Sequence, residues 1–160
     1  MGNLKPKTIP TVGRTMRHFN IFCTFLLFFM MQNLHAQELS SHQWQNRLLL
    51  ILVKDTLHPE FQNQLDALRS QAAGLAERDL LVYQVMPNQY RTGLSNRGKW
   101  IASAKLHSAY KQTDATFEVV MIGLDGGIKQ CWTNPVSSVA LFEVIDKMPM
   151  RRAEIGRKAN

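Results

Sequence analysis

"RLLLILVKDTLHPEFQNQLDAL", residues 47–68, joins two patterns that do not mix. From 48 to 53 every residue is apolar, and an unbroken run of that length suits a strand covered on both faces. Lys54 stops the run. After a short polar turn, Pro59 stands where it can open a helix, because the N–H that proline lacks has no partner in a first turn anyway. Phe61, Leu65, Leu68, Ala72 and Leu75 then recur at helical spacing, with Gln62, Asn63, Asp66, Arg69 and Ser70 between them. Gly74 and the charged 77–79 return the chain to a second apolar stretch, 80–86, which Pro87 ends. Strand, helix and strand in that order predict a right-handed crossover joining parallel strands.

The segment 88–100, "NQYRTGLSNRGKW", is polar and reads as a loop or irregular segment. Residues 93–99 within it fit G-x-x-x-x-G-K. Trp100 stands where a phosphate loop needs Ser or Thr for magnesium, and the segment does not leave a strand directly, so a solvated loop is the reading. A second helix is expected over 100–111, with Ile101, Ala104 and Tyr110 toward the core. The third strand, 117–124, runs into Asp125, Gly126 and Gly127, a hairpin turn in which glycine tolerates positive φ, and 128–132 pairs back. Asn134 is expected to cap and Pro135 to start a final helix. Leu141, Phe142, Ile145 and Met148 would line one face of it, and Pro149 would stop it. The fold class is α/β in the order β-α-β-α-β-β-α, a mixed four-stranded sheet with flanking helices.

Upstream, Lys5, Lys7, Arg14 and Arg17 precede a charge-free apolar stretch, 19–31, and then a polar "QNLHAQ". That is the layout of a secretory signal. The stretch is shorter than the about 20 apolar residues a spanning helix wants. Residues 1–36 are therefore expected to be a signal peptide cut after Ala36, with the protein exported to a periplasmic or extracellular location. The alternative is a membrane anchor left uncleaved, and a start at Met16 gives a leader of more usual length. Without the leader, fifteen Lys and Arg face twelve Asp and Glu, a net charge of +3. Arg151, Arg152, Arg157 and Lys158, less Glu154, carry all of it, so 37–150 is formally neutral. A neutral body lacks the basic face that nucleic acid demands, and no membrane contact is expected after cleavage. The folded domain is read as 37–152 and 153–160 as a basic, frayed tail, with Arg151 and Arg152 available to anionic polymers.

Cys23 lies in the leader, so Cys131 is left without a partner for an intramolecular disulfide. The domain must stand on its core, and chains of this size bury roughly two-thirds of their unfolded surface. His42, His58 and His107 share no metal-ligand spacing, and no metal or cofactor is expected. The candidate binding site is the turn after the first strand, Lys54, Asp55, Thr56 and His58, gathered at a dipole-positive helix end. Its plainer role is capping, with Asp55 or Thr56 accepting helix N–H groups.

"FEVVMIGLDGGIKQCW" at 117–132 and "PVSSVALFEVIDKMPMRR" at 135–152 resemble the signature of the family called domain of unknown function forty-one seventy-four. "WQNRLLLIL" at 44–52 and "ERDLLVYQV" at 77–85 fit its earlier strands, so the resemblance covers 39–152, with "DGG" and "MPMRR" its most specific parts. Similar domains occur in animal extracellular-matrix proteins. The resemblance implies a thioredoxin-like fold related to peroxiredoxins, with no established activity. Under it, residues 55–58 occupy the place of a Cys-x-x-Cys but offer no sulfur, so thiol–disulfide exchange has no chemistry there. "TDAT", 113–116, likewise lacks the proline that thioredoxins set beside their cysteines. The expected function is a non-catalytic binding or interaction module for an envelope or extracellular protein or an anionic polymer. The alternative is a peroxiredoxin-related or other envelope enzyme using Cys131 or the Asp55/His58 corner.

Overall fold

The aliphatic run 48–53 becomes the central strand of the protein. In the computed structural model, which describes residues 37–158, a short helix α1 (Gln37–Ser40) precedes β1 (Arg47–Val53), all seven of whose residues are buried. Next come α2 (Pro59–Arg69), α3 (Ala72–Glu77), β2 (Leu80–Met86), β3 (Gln89–Thr92) and β4 (Ile101–Ala102). The chain continues through α4 (Leu106–Tyr110), β5 (Phe117–Ile122), β6 (Ile128–Trp132), α5 (Ser138–Asp146) and α6 (Pro149–Lys158). The expected signal peptide at 1–36 lies outside the described residues. No helix among the described residues is long and apolar enough to cross a membrane.

The strands form one mixed sheet in the order β4-β3-β2-β1-β5-β6. β1 and β2 run parallel, as a strand–helix–strand crossover requires, and the remaining pairs are antiparallel. Because side chains alternate across a strand, β1 feeds two cores. Leu49, Ile51 and Val53 join Phe61, Leu65, Leu68, Leu141 and Ile145 from α2 and α5. Leu48, Leu50 and Leu52 join Tyr83, Val85, Val120 and Leu106 on the other face.

The α/β class stands, but the sheet has six strands rather than four. The extra pair comes from the segment read as loop. β3 folds back on β2 through the turn at Pro87 and Asn88, pairing Met86 with Gln89 and Gln84 with Arg91. Apolar periodicity misses it because its inward position is polar: Arg91 is buried and its Nε donates to Oε1 of the buried Gln84 at 2.9 Å. Arg91 also donates to the Asn96 carbonyl at 2.7 Å and lies over the Trp100 ring, which ties the 93–100 loop down. The helix expected over 100–111 shrinks to α4. Ile101 and Ala104 are exposed, and Leu106, whose N–H is accepted by Ser103 Oγ at 3.2 Å, takes the core position.

Two helix boundaries move for similar reasons. The face read from Phe61 to Leu75 divides into α2 and α3 at Ser70 and Gln71. α5 starts after Ser137, whose hydroxyl accepts the Ala140 N–H at 3.2 Å, rather than at Pro135. The backbone before it is held elsewhere: Val136 exchanges two hydrogen bonds with the buried Gln64 side chain, at 2.7 and 3.1 Å. α5 ends at Asp146, before Pro149, but Pro149 then opens a further helix, α6, so the segment read as a frayed tail is helical through Lys158. The β5–β6 hairpin turns at Asp125–Gly126–Gly127, where Gly126 has φ of 77° and Asp125 Oδ1 accepts the Gly127 N–H at 3.1 Å.

Candidate functional site

The turn after β1 meets the segment that enters β5, because Val53 pairs with Phe117. Lys54 and Asp55 are exposed, and Thr56 and His58 are half-buried. The chain turns tightly here: His58 N–H donates to the Asp55 carbonyl at 3.1 Å, and Asp55 Oδ1 accepts the Leu57 N–H at 2.9 Å. Neither Asp55 nor Thr56 caps α2. The N-cap residue is His58, which makes no side-chain cap bond, and Pro59 follows it with no N–H to offer. The carboxylate is therefore consumed by the turn that positions the histidine.

His58 is held by the neighbouring strand. Its ring stacks on Phe117 at a centroid distance of 6.2 Å and an angle of 18°, and its Nε2 lies 3.4 Å from Thr116 Oγ1. Nδ1 is buried, 3.8 Å from the Glu60 carboxylate, and has no hydrogen-bond partner among the described residues. Leu57, immediately before it, is 81% exposed.

Cys131 stands on β6 opposite Val120, and its thiol donates to Glu118 Oε1 at 2.8 Å. Glu118 is fully buried and also accepts the Gln112 N–H, at 3.1 and 3.2 Å. Burial, then the hydrogen bond and charge of Glu118, push the Cys131 thiol up to about 12. A peroxidatic cysteine needs the opposite environment, one that favours thiolate. Next to this pair, burial and Lys111 push the His107 imidazole down. His107 and Lys111 face a shallow cavity of 370 Å³ with Gln112 and Asp114.

The two C-terminal arginines are not part of this corner. Arg47 opens β1 and Lys54 follows its end, so the strand's seven residues put about 20 Å between them. Arg151 belongs with Arg47. Its guanidinium meets Glu77 at 2.6 Å, Asp146 at 3.2 Å and Glu154 at 3.3 Å, and its side chain is 2% exposed. Arg47 meets Glu154 at 2.8 Å, and Arg78 meets Asp146 at 2.6 Å while lying over Phe142. Burial opposes the charge of Asp146 and Glu154, but the arginines on either side still hold both carboxyls below their ordinary range. Arg152 alone of the two is exposed.

Sequence reasoning missed Arg47, Glu118, Gln84 and Arg91; the first three left a signal, a polar residue set in an apolar strand, which burial forces to find a partner, whereas Arg91 stands in a polar segment that gives none. Among the described residues, no three of His, Cys, Asp or Glu are grouped to hold a metal ion.

Residues 38–154 match the family described as Domain of unknown function (DUF4174). The chain belongs to that family. Within the DUF4174 fold, the pieces that carried the resemblance meet at one place: Asp125 of the hairpin and Pro149 and Met150 of α6 line a common cavity with Arg47. The chain is also similar to coiled-coil domain-containing protein 80 of Danio rerio, 27% identical over 133 residues, covering 73% of this chain. It spans only 15% of that relative's length, so the resemblance concerns one domain of a much longer protein.

Proposed function

We propose that this DUF4174 domain is an exported, non-catalytic binding module on a thioredoxin-like scaffold, engaging a protein or polymer of the envelope or extracellular space through the Lys54–His58 corner. One observation carries the reading. At the corner the chain presents Leu57, 81% exposed, beside a histidine fixed by Phe117, with no sulfur at any of the turn positions. The parallel β1–β2 pair with α2 and α3 between them, and β5 antiparallel to β1, support the thioredoxin-like assignment. The basic and apolar pattern of 1–36 supports export. Arg151 drops out of the binding surface, because its guanidinium is spent inside the fold.

A photo-crosslinking residue placed at Leu57 tests the proposal in producing cells, with the same residue at exposed Ala153 as control. A discrete adduct at 57, absent at 153 and lost when His58→Gln is added, is the expected result. Equal labelling at both positions refutes the corner as the binding surface. A peroxidase activity of the purified protein that disappears in Cys131→Ser would instead establish the enzymatic alternative.

A further inference from the structure

β2 has seven residues and β3, its outer neighbour, has four, so β3 pairs with Tyr83 to Met86 and leaves the start of β2 uncovered. Two hydrogen bonds fix the direction in which that stretch faces. The Asp79 carbonyl accepts the Arg47 N–H on the β1 side at 2.8 Å, and the Val82 carbonyl accepts the Gly93 N–H on the β3 side at 2.7 Å. Successive residues of a strand turn their backbone groups to opposite edges, so the N–H and C=O of Leu80 and the N–H of Val82 face outward, away from β1. Pairing with β3 stops at Tyr83 and Thr92, and no hydrogen bond to any of these three groups is formed by the described residues. Gly93 is the cause. Its φ of 83° turns the chain out of the sheet, and its carbonyl accepts from Gln84 Nε2 at 2.8 Å rather than from Val82. The Leu94 carbonyl then goes to Arg69 Nε at 2.9 Å, on α2.

The gap left at this edge is a cavity of 540 Å³ that straddles the sheet. On one face its wall is Ala72, Leu75 and Ala76 of α3. On the other stand Leu81, 38% exposed, and the pair formed by His42 and Tyr83, whose Nε2 and hydroxyl lie 2.7 Å apart. Proteins blunt a free sheet edge with charge, proline, a bulge or brevity. The two outer edges of this sheet follow that rule, since β4 has two residues and β6 carries Lys129. Leu80, Leu81 and Val82 carry none of these devices. Backbone donors and an acceptor set in a row between apolar walls match one kind of occupant, an extended polypeptide, whose own N–H and C=O groups alternate in the same way. An aromatic ring or an acyl chain would fill the volume and leave those groups unmatched. Alternate side chains of an added strand meet different walls. The two alanines leave room for an aliphatic side chain, and the face of His42 and Tyr83 suits a small polar one.

We infer that the Leu80–Val82 edge is a docking site for an extended segment of a partner polypeptide, which adds to the sheet as a short strand in line with β3 and sets an aliphatic side chain against Ala72, Leu75 and Ala76. The site is independent of the corner proposed above. β2 runs parallel to β1, so its start lies at the end of the sheet opposite the turn that follows β1. The open stretch is three residues, about 10 Å of strand, so the cavity walls contribute to affinity beside the backbone bonds.

The probe is the capped peptide Ac-Thr-Val-Thr-Val-Thr-NH2, titrated to millimolar concentration into the ¹⁵N-labelled protein while the Leu80, Val82 and Gly93 amide resonances are followed. Saturable shifts of all three, with slower hydrogen exchange at Val82, are expected. The same peptide N-methylated at every residue keeps its side chains and loses its backbone donors, and should bind more weakly by about tenfold or more. Ala76→Trp fills the cavity from an exposed position and should abolish the shifts with the melting temperature unchanged. His58→Gln, at the corner, should leave them as in the parent. No saturable shift in the parent protein overturns the inference, and so do shifts that survive Ala76→Trp. Equal binding of the N-methylated peptide overturns it by showing a cavity that takes apolar bulk rather than a strand. Shifts of these amides with protein concentration alone overturn it by making a second copy of the chain the occupant.

Discussion

Glu154→Ala separates the two readings of the C-terminal segment more sharply than any other substitution. Read as a frayed tail, position 154 contributes nothing to stability. In the structure it supplies the carboxylate nearest to Arg47, at 2.8 Å from Nη2 and 3.4 Å from Nη1, a two-pronged contact with side chains 1% and 17% exposed. Arg151 keeps Asp146 and Glu77 when Glu154 is removed, so its charge stays matched. Arg47 keeps only the Arg78 carbonyl. Removing one partner of a buried pair strands the other charge, at a cost of about 3–5 kcal/mol. The retained bond to the Arg78 carbonyl places the expected loss near the lower end, about 3 kcal/mol. Urea denaturation at neutral pH measures it, as a lowered midpoint with the slope unchanged. Arg157→Ala, exposed on the same helix, should change stability by no more than about 0.5 kcal/mol. A loss below about 1 kcal/mol for Glu154→Ala would show that α6 does not clamp the start of β1, and the structural argument would fail.

The same network sets an acid limit. Asp146 and Glu154 have folded-state carboxyls below their ordinary values of 3.8 and 4.5, so their contribution is complete above those values and is lost as pH falls through the depressed folded values. Stability measured down to pH 2 should therefore fall below about pH 4.5, and Asp146→Asn should flatten that limb; a curve identical in the variant would remove the network as its cause. Cys131, pushed up to about 12 and tied to Glu118, should resist iodoacetamide at pH 8 in the native protein and react at once when unfolded. Comparable rates in both states would refute the Glu118 contact. N-terminal sequencing of the exported protein should begin at Gln37, and an intact Met1 or Met16 terminus in a membrane fraction would refute cleavage. Asp55→Asn should leave stability within about 0.5 kcal/mol, since asparagine makes the same turn bond, whereas Asp55→Ala should lose about 1 kcal/mol; equal values for the two would mean that the turn bond contributes nothing.

What was legible in the sequence follows from what drives each element. β1, β2 and β5 are aliphatic runs and α2 carries its stripe at helical spacing, so burial alone announces them. β3 has no such stripe. Its inward residue is Arg91, stable there because Gln84 on β2 and the Asn96 carbonyl accept its donors, and those partners are brought together only by the fold. α6 hides for a related reason. Its mean composition is basic and polar, and the residue that docks it, Arg151, is the one that a reading of charge sends to the surface.

The candidate site divides along the same line. Turn chemistry is local, so the Asp55–His58 corner could be located from Asp55, Pro59 and the end of an apolar run. Its internal roles could not, because the stacking of His58 on Phe117 depends on the pairing of β1 with β5, a contact between residues far apart in the chain. The arginine cavity lay beyond sequence reading altogether: Arg47, Lys129 and Met150 come from a strand start, a hairpin arm and a terminal helix. Yet one observable trace existed in each case, a charged residue at the boundary of an aliphatic segment. A charge in such a place is stable only if the fold supplies a counter-charge or a ligand supplies an acceptor. Glu118 has its answer within the chain, in Cys131 and Gln112. Arg47 has its answer in Glu154 and in the Arg78 carbonyl, which between them take both Nη groups.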